Sequence, residues 1–156
     1  MSTTALLPRT LRSRLPLART SAPALSAHAS PAQVAAAVAA HRDLWAGHVR
    51  FDPVDPHQAV VWHDERWEVV LGAWLPAQAS ATVEQLGRPG ALHVLQGELE
   101  ETTWVTATDG PAPGRRHAVV RRWSAGSTRS HGTVHVHDVR NPGPDPALAL
   151  SVRAVG

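Results

Sequence analysis

Helical spacing gives way to alternation about a third of the way along the chain. Ser30 followed by Pro31 is a helix start: a hydroxyl cap, then proline at the first helical position. The stretch from there to about Trp45 is alanine-rich. Val34, Val38, His41 and Trp45 recur at helical spacing, giving one apolar face, and Gly47 ends it. Beyond it the period falls to two. Residues 60–63 and 67–75 read as two strands around a turn at 64–65. Val69, Leu71, Ala73 and Leu75 share one face, and Val70, Gly72 and Trp74 the other. Strands follow at 91–96, 98–106, 117–123, 133–139 and 147–155. Proline and glycine clusters at 88–90, 109–114 and 141–144 separate several of them. Many short strands with such spacers describe an all-β sandwich or barrel behind one short helix. No solenoid-type repeat is present.

Composition narrows the class. At 156 residues and 43 % apolar content the chain can bury one core. Residues 1–29, rich in Ser, Ala, Pro, Leu and Arg and free of acids, read as a disordered basic leader, leaving 30–156 as a single domain. Residues 1–41 hold four of the 15 basic residues, all of them arginine, and no acid. Residues 42–156 set 11 arginines against all 13 acids, so the folding part is faintly acidic and the leader supplies the high pI. Arg115, Arg116, Arg121, Arg122 and Trp123 are the nearest thing to a basic stripe, and they read as a solvated hairpin, so no nucleic-acid partner is expected. No apolar run has the length of a membrane span, and a cytoplasmic protein is expected. The chain has no cysteine, which removes disulfides, thiolate metal sites and a cysteine nucleophile. Ten histidines raise the question of a nitrogen-and-oxygen metal site.

Three pieces, in order, carry a resemblance. They are Trp74-Leu75-Pro76-Ala77-Gln78, then Gly90-Ala91-Leu92-His93-Val94-Leu95-Gln96-Gly97-Glu98-Leu99-Glu100-Glu101, and then Gly126-Ser127-Thr128-Arg129-Ser130-His131-Gly132 running on to His135-Val136-His137-Asp138-Val139-Arg140-Asn141. Together they resemble the cysteine dioxygenase family of cupins in its short bacterial form, over roughly residues 45–155. The resemblance implies a jelly-roll-like antiparallel β-barrel holding iron(II) on three histidines. It also implies oxidation of cysteine to its sulfinate, an early-strand arginine on the substrate carboxylate, and a histidine and a tyrosine on the last strand. Iron must keep positions open for substrate and dioxygen, so three neutral protein donors suit it.

Carried over residue by residue, most of those positions have changed. The first-motif histidine pair falls on Val83 and Gln85, with Glu84 between; valine has no donor atom, and a carboxamide oxygen is a poor iron ligand. The third ligand falls on His137, which is intact. His135 shares its face by alternation. The substrate arginine falls on Val60, the last-strand histidine on Ser151, and the tyrosine on Arg153. Two readings of His137 stand: a hydrogen-bonded remnant, or one donor of a rebuilt metal site with His135, Gln85 or His131. Arg153, if paired with Glu84, Asp138 or a surface acid, is structural; unpaired, it holds an anion. Leu92 and Val94 inward would turn His93 outward.

The expectation is therefore a cupin of thiol dioxygenase lineage whose catalytic set has degenerated, as a monomer or homodimer. One alternative is a non-catalytic module binding a small thiol or carboxylate through Arg153, Gln85, Ser151 and His137. Another is an active thiol dioxygenase with a rebuilt iron site. A sugar epimerase or isomerase ranks last, because such sites use a tyrosine acid and the chain has no tyrosine.

Overall fold

The computed structural model describes residues 23–81, 83–86, 88–106, 114 and 116–155. Helix α1 (Pro31–Ala40) opens with a complete capping box. The Gln33 amide donates to Ser30 Oγ at 3.3 Å, and the Ser30 amide donates to Gln33 Oε1 at 2.8 Å. The expected single helix to Trp45 breaks at His41, whose backbone leaves the helical region (φ −98°, ψ 75°) and whose imidazole Nδ1 donates to the Ala37 carbonyl at 2.7 Å. A second short helix, α2 (Arg42–Trp45), and a 3-10 turn (Ala46–His48) follow. The break turns Trp45 back onto α1, where its indole N–H donates to Ala39 O at 3.2 Å.

Among the described residues nine strands follow: β1 (His57–His63), β2 (Trp67–Trp74), β3 (Val83–Leu86), β4 (Gly90–Gln96), β5 (Glu98–Thr106), β6 (Arg116–Ser124), β7 (Thr128–His131), β8 (Val134–Arg140) and β9 (Ala147–Ala154). They form two sheets, of order β1-β2-β9-β4-β7 and β3-β8-β5-β6, with every pairing antiparallel. Seven strands match the alternation in the sequence; β3 and β7 add to it. Gly97, between β4 and β5, has φ +75°, a left-handed turn that suits glycine.

Alternation gives each face of the five-stranded sheet its own core. Val69, Leu71, Ala73, Ala91, Leu148, Leu150 and Val152 face outward and pack with Val34, Ala35 and Val38 of α1. The intervening residues face the second sheet, and there Trp74, Leu92, Val94, Ala147 and Ala149 meet Leu99 and Val139. The helix is thus a cover on the outer wall of the barrel, and the lumen lies on the other side of β2, β4 and β9.

Of the stretch read as a leader, residues 1–22 lie outside the described residues, and 23–29 touch the domain at a few points. Pro23 and Ala29 are buried, Leu25 lies against the outer core, and the Arg66 guanidinium donates to the carbonyls of Ser26 and Ala27. The composition of this stretch matches the leader, yet Arg66, far along the chain, ties its backbone down.

Candidate functional site

The inward residues of β2 and β9 alternate with the helix-packed ones, so Val70, Gly72, Trp74, Ser151 and Arg153 face the lumen. There they line a cavity of about 90 Å³ together with Gln58 of β1, Leu92 of β4, and His137 and Val139 of β8. Trp74 sets its floor. The indole folds back over Gly72, where an added Cβ would come within 2.3 Å of the ring, so only glycine leaves it room. Its Nε1 is buried with no hydrogen-bond partner among the described residues. Ser80 also lines the space, but its hydroxyl is used on the Val139 backbone, accepting from N and donating to O at 3.1 Å each.

His137 is 8 % exposed, and its Nδ1 lies 2.8 Å from Glu101 Oε1. A carboxylate only accepts, so Nδ1 carries a proton and donates it to Glu101. Glu101 is 1 % exposed. Its other oxygen accepts from Arg129 Nε at 2.8 Å and from the Trp123 indole N–H at 3.3 Å. Arg129 belongs to the five-stranded sheet and Glu101 to the four-stranded one, so this buried network ties the two walls together. The ring of His131 lies 6.1 Å from that of His137, centroid to centroid. It has room because a Cβ at Gly90, its cross-strand partner, would collide with it.

The sequence-derived candidates divide. His137, Ser151 and Arg153 converge on the cavity. Arg153 is paired, and with none of the acids named from the sequence. Its Nε donates to Glu68 Oε1 at 2.6 Å, and Nη2 contacts the same oxygen. Glu68 lies directly opposite it on β2. Val60 is 47 % exposed on edge strand β1, outside the described lining, and Gln58, two residues earlier, lines the cavity instead. Val83 stands opposite His137 and Gln85 opposite His135 in the β3–β8 ladder, with Glu84 opposite Val136. Leu92 and Val94 do face inward; His93, between them, bonds Thr128 Oγ1 at 2.7 Å, and partial burial pushes its imidazole pKa down.

Glu101, Arg129, Glu68 and Gln58 were not singled out from the sequence. The signal for Glu101 was present, because Leu99 is two residues earlier on the same face of β5. The neighbouring Glu100 shows why it was missed: it faces outward, where Arg140 and Arg122 hydrogen-bond to it and hold its carboxyl below the usual range. Adjacent acids look like one solvated pair until the strand divides them between two faces.

These residues do not fit an iron centre of the three-histidine kind. The ladder sets Val83 and Gln85 beside the strand of the one intact ligand, and among the described residues no three His, Cys, Asp or Glu side chains gather to hold a metal.

Two antiparallel sheets closed around a lumen, with the site between them, define a cupin. Solved structures agree. A protein of unknown function with a double-stranded β-helix domain from Klebsiella pneumoniae subsp. pneumoniae MGH 78578 is similar at 25 % identity and TM-score 0.57, over 70 % of this chain and 80 % of that one. A protein from Thermus thermophilus is similar at 24 % identity and TM-score 0.55, over 68 % and 89 %. A cupin superfamily protein from Desulfitobacterium hafniense DCB-2 shares the fold at 12 % identity and TM-score 0.50, over 72 % and 88 %. A comparison with curated proteins returns no match. The family model for cysteine dioxygenase type I matches residues 21–154, and the chain belongs to that family. No helix among the described residues is long and apolar enough to cross a membrane.

Proposed function

We propose that this chain is a cysteine dioxygenase-family cupin that has lost most or all thiol dioxygenase activity and keeps its lumen as a small-molecule site. One observation carries the reading: Val83 and Gln85 occupy the β3 positions opposite His137 and His135, where the family pattern calls for two iron ligands. With one imidazole and a neutral carboxamide, a ferrous ion would gain too little to be retained against solvent. Ser151 and Arg153 at the last-strand positions, and Val60 in place of the substrate arginine, support the same conclusion from the substrate side.

Purified protein loaded with ferrous iron under nitrogen and then desalted tests this. Elemental analysis is expected to find iron far below one per chain, and cysteine with dioxygen to give no sulfinate above the protein-free rate. Near-stoichiometric iron with sustained sulfinate formation would overturn it, and would favour a centre rebuilt around His137 with His135 or His131.

Partners follow from chemistry already described. A small thiol or carboxylate fits the lumen, and the faint acidity of residues 42–156 speaks against nucleic acid. We place the protein in the cytoplasm, as a monomer or homodimer.

A further inference from the structure

We infer that the free edge of β6 docks an extended acidic segment of a partner protein, which joins the four-stranded sheet as a further antiparallel strand. The docking does not depend on what the lumen holds. β6 ends the sheet order β3-β8-β5-β6, and its described partner is β5, paired from Glu98–Ser124 to Thr106–Arg116 without a shift of register. It carries neither a proline nor a bulge, two of the usual means of blunting an edge. Residues that stand opposite each other share a face. On the outer face Thr102 stands opposite Val120 and Trp104 opposite Ala118, with Val120 55 % exposed and Trp104 39 %. Helix α1 covers the other sheet, whereas this apolar strip has no cover among the described residues. The strip runs out to the middle of the edge, Ala118-Val119-Val120, where an incoming strand would lay its own side chains.

Charge decides the occupant. Residues 102–106 and 116–121 contain Arg116 and Arg121 and no acid. Arg122 is held by Glu98 and Glu100. Arg116 and Arg121 are exposed and make no ion pair or side-chain hydrogen bond among the described residues. Arginines that only kept other strands away would interrupt the middle of the edge; these bracket an uncharged apolar centre. A second copy of β6 is a poor occupant. Antiparallel pairing centred on Val119 sets Arg116 against Arg122 and His117 against Arg121, and centring it between Ala118 and Val119 sets Arg116 against Arg121. The chain's own residues 1–22 hold four arginines and no acid, and are repelled in the same way. A strand with β-branched residues opposite Ala118 and Val120, and acids opposite Arg116 and Arg121, pairs the edge backbone, covers the strip and meets both cations at once.

NMR titration of the isotope-labelled full chain with two blocked peptides tests this. One is Thr-Glu-Val-Thr-Val-Thr-Glu, and the other has lysine in place of both glutamates. The glutamate peptide is expected to shift the amides of β6 and the indole N–H of Trp104. The lysine peptide should bind about tenfold more weakly, because two exposed ion pairs become two like-charge contacts. Trp104→Ala should weaken the glutamate peptide by about threefold. Arg116→Glu combined with Arg121→Glu should reverse the preference in favour of the lysine peptide, a gain that a damaged fold cannot give. No shift with the glutamate peptide, equal binding of both peptides, shifts confined to the lumen around His137 and Ser151, or a preference unchanged in the double variant overturns the inference. So does sedimentation in which the wild-type chain self-associates and the double variant does not. Binding to phosphatidylglycerol vesicles that the double variant loses, with no binding of the glutamate peptide, overturns it in favour of a lipid surface.

Discussion

Two neighbouring glutamates on β5 show how one residue step decides what a charge is worth. Glu100, itself only 7 % exposed, faces outward between Arg122 and Arg140, whose side chains are 60 % and 53 % exposed. Solvent reaches both arginines, so Glu100→Gln strands no buried cation and is expected to cost about 1 kcal/mol. Glu101 faces the lumen at 1 % exposure and accepts from Arg129, which is itself only 16 % exposed. Glu101→Gln removes the buried charge to which Arg129, Trp123 and His137 all donate, and should cost about 3 kcal/mol or more. Urea unfolding of the two variants checks the contrast. Equal costs would mean that solvent reaches the lumen side of β5 as freely as the outer face. The same carboxylate orients His137, so the intact family histidine is held from the neighbouring strand even where its metal partners have been replaced.

At the level of elements, local rules explain the parts that were legible. The start of α1 was readable because Ser30, Pro31 and Gln33 form a cap whose chemistry is confined to four consecutive residues. Ser30→Ala removes the acceptor for the Gln33 amide and is expected to lower stability by about 1 kcal/mol, read as a shift in urea midpoint at unchanged slope. No shift would mean that packing of Val34 and Val38 alone fixes the helix start. Strands β2, β4 and β9 were legible because one face meets the helix and the other the lumen, so their apolar residues are dense. Strands β3 (Val83–Leu86) and β7 (Thr128–His131) were not, because each is four residues long and at least half polar. Their pairing comes from β8 and β4 across long stretches of chain, a contact that local periodicity does not encode. The candidate site was legible to the same degree. His137, Ser151 and Arg153 lie on long, well-patterned strands and could be located by counting. Arg129 lies on β7, and Glu68 becomes the partner of Arg153 only through the β2–β9 register. Both depend on pairing that must be seen.

For the whole molecule, the described scaffold includes one of the family's working positions, His137 in the Glu101 network, and leaves Val60 exposed on an edge strand outside both cores. The intact histidine has a positive consequence. If β3 holds its backbone beside His137 as the ladder indicates, the double substitution Val83→His with Gln85→His supplies two more imidazoles next to a histidine that Glu101 already orients. That variant is expected to retain about one ferrous ion per chain after desalting, while the parent retains far less. Elemental analysis of the two, prepared side by side, decides it. Iron retained equally by both would show that the parent holds metal through other donors, and iron retained by neither would show that β3 no longer presents these positions to His137. Sulfinate formation is a stricter requirement. The substrate side has changed as well, with Arg153 bound to Glu68 and no arginine at Val60, so the same variant should bind iron and still oxidise cysteine poorly. Recovery of the metal without recovery of turnover is the result that would separate loss of the iron centre from loss of the substrate pocket.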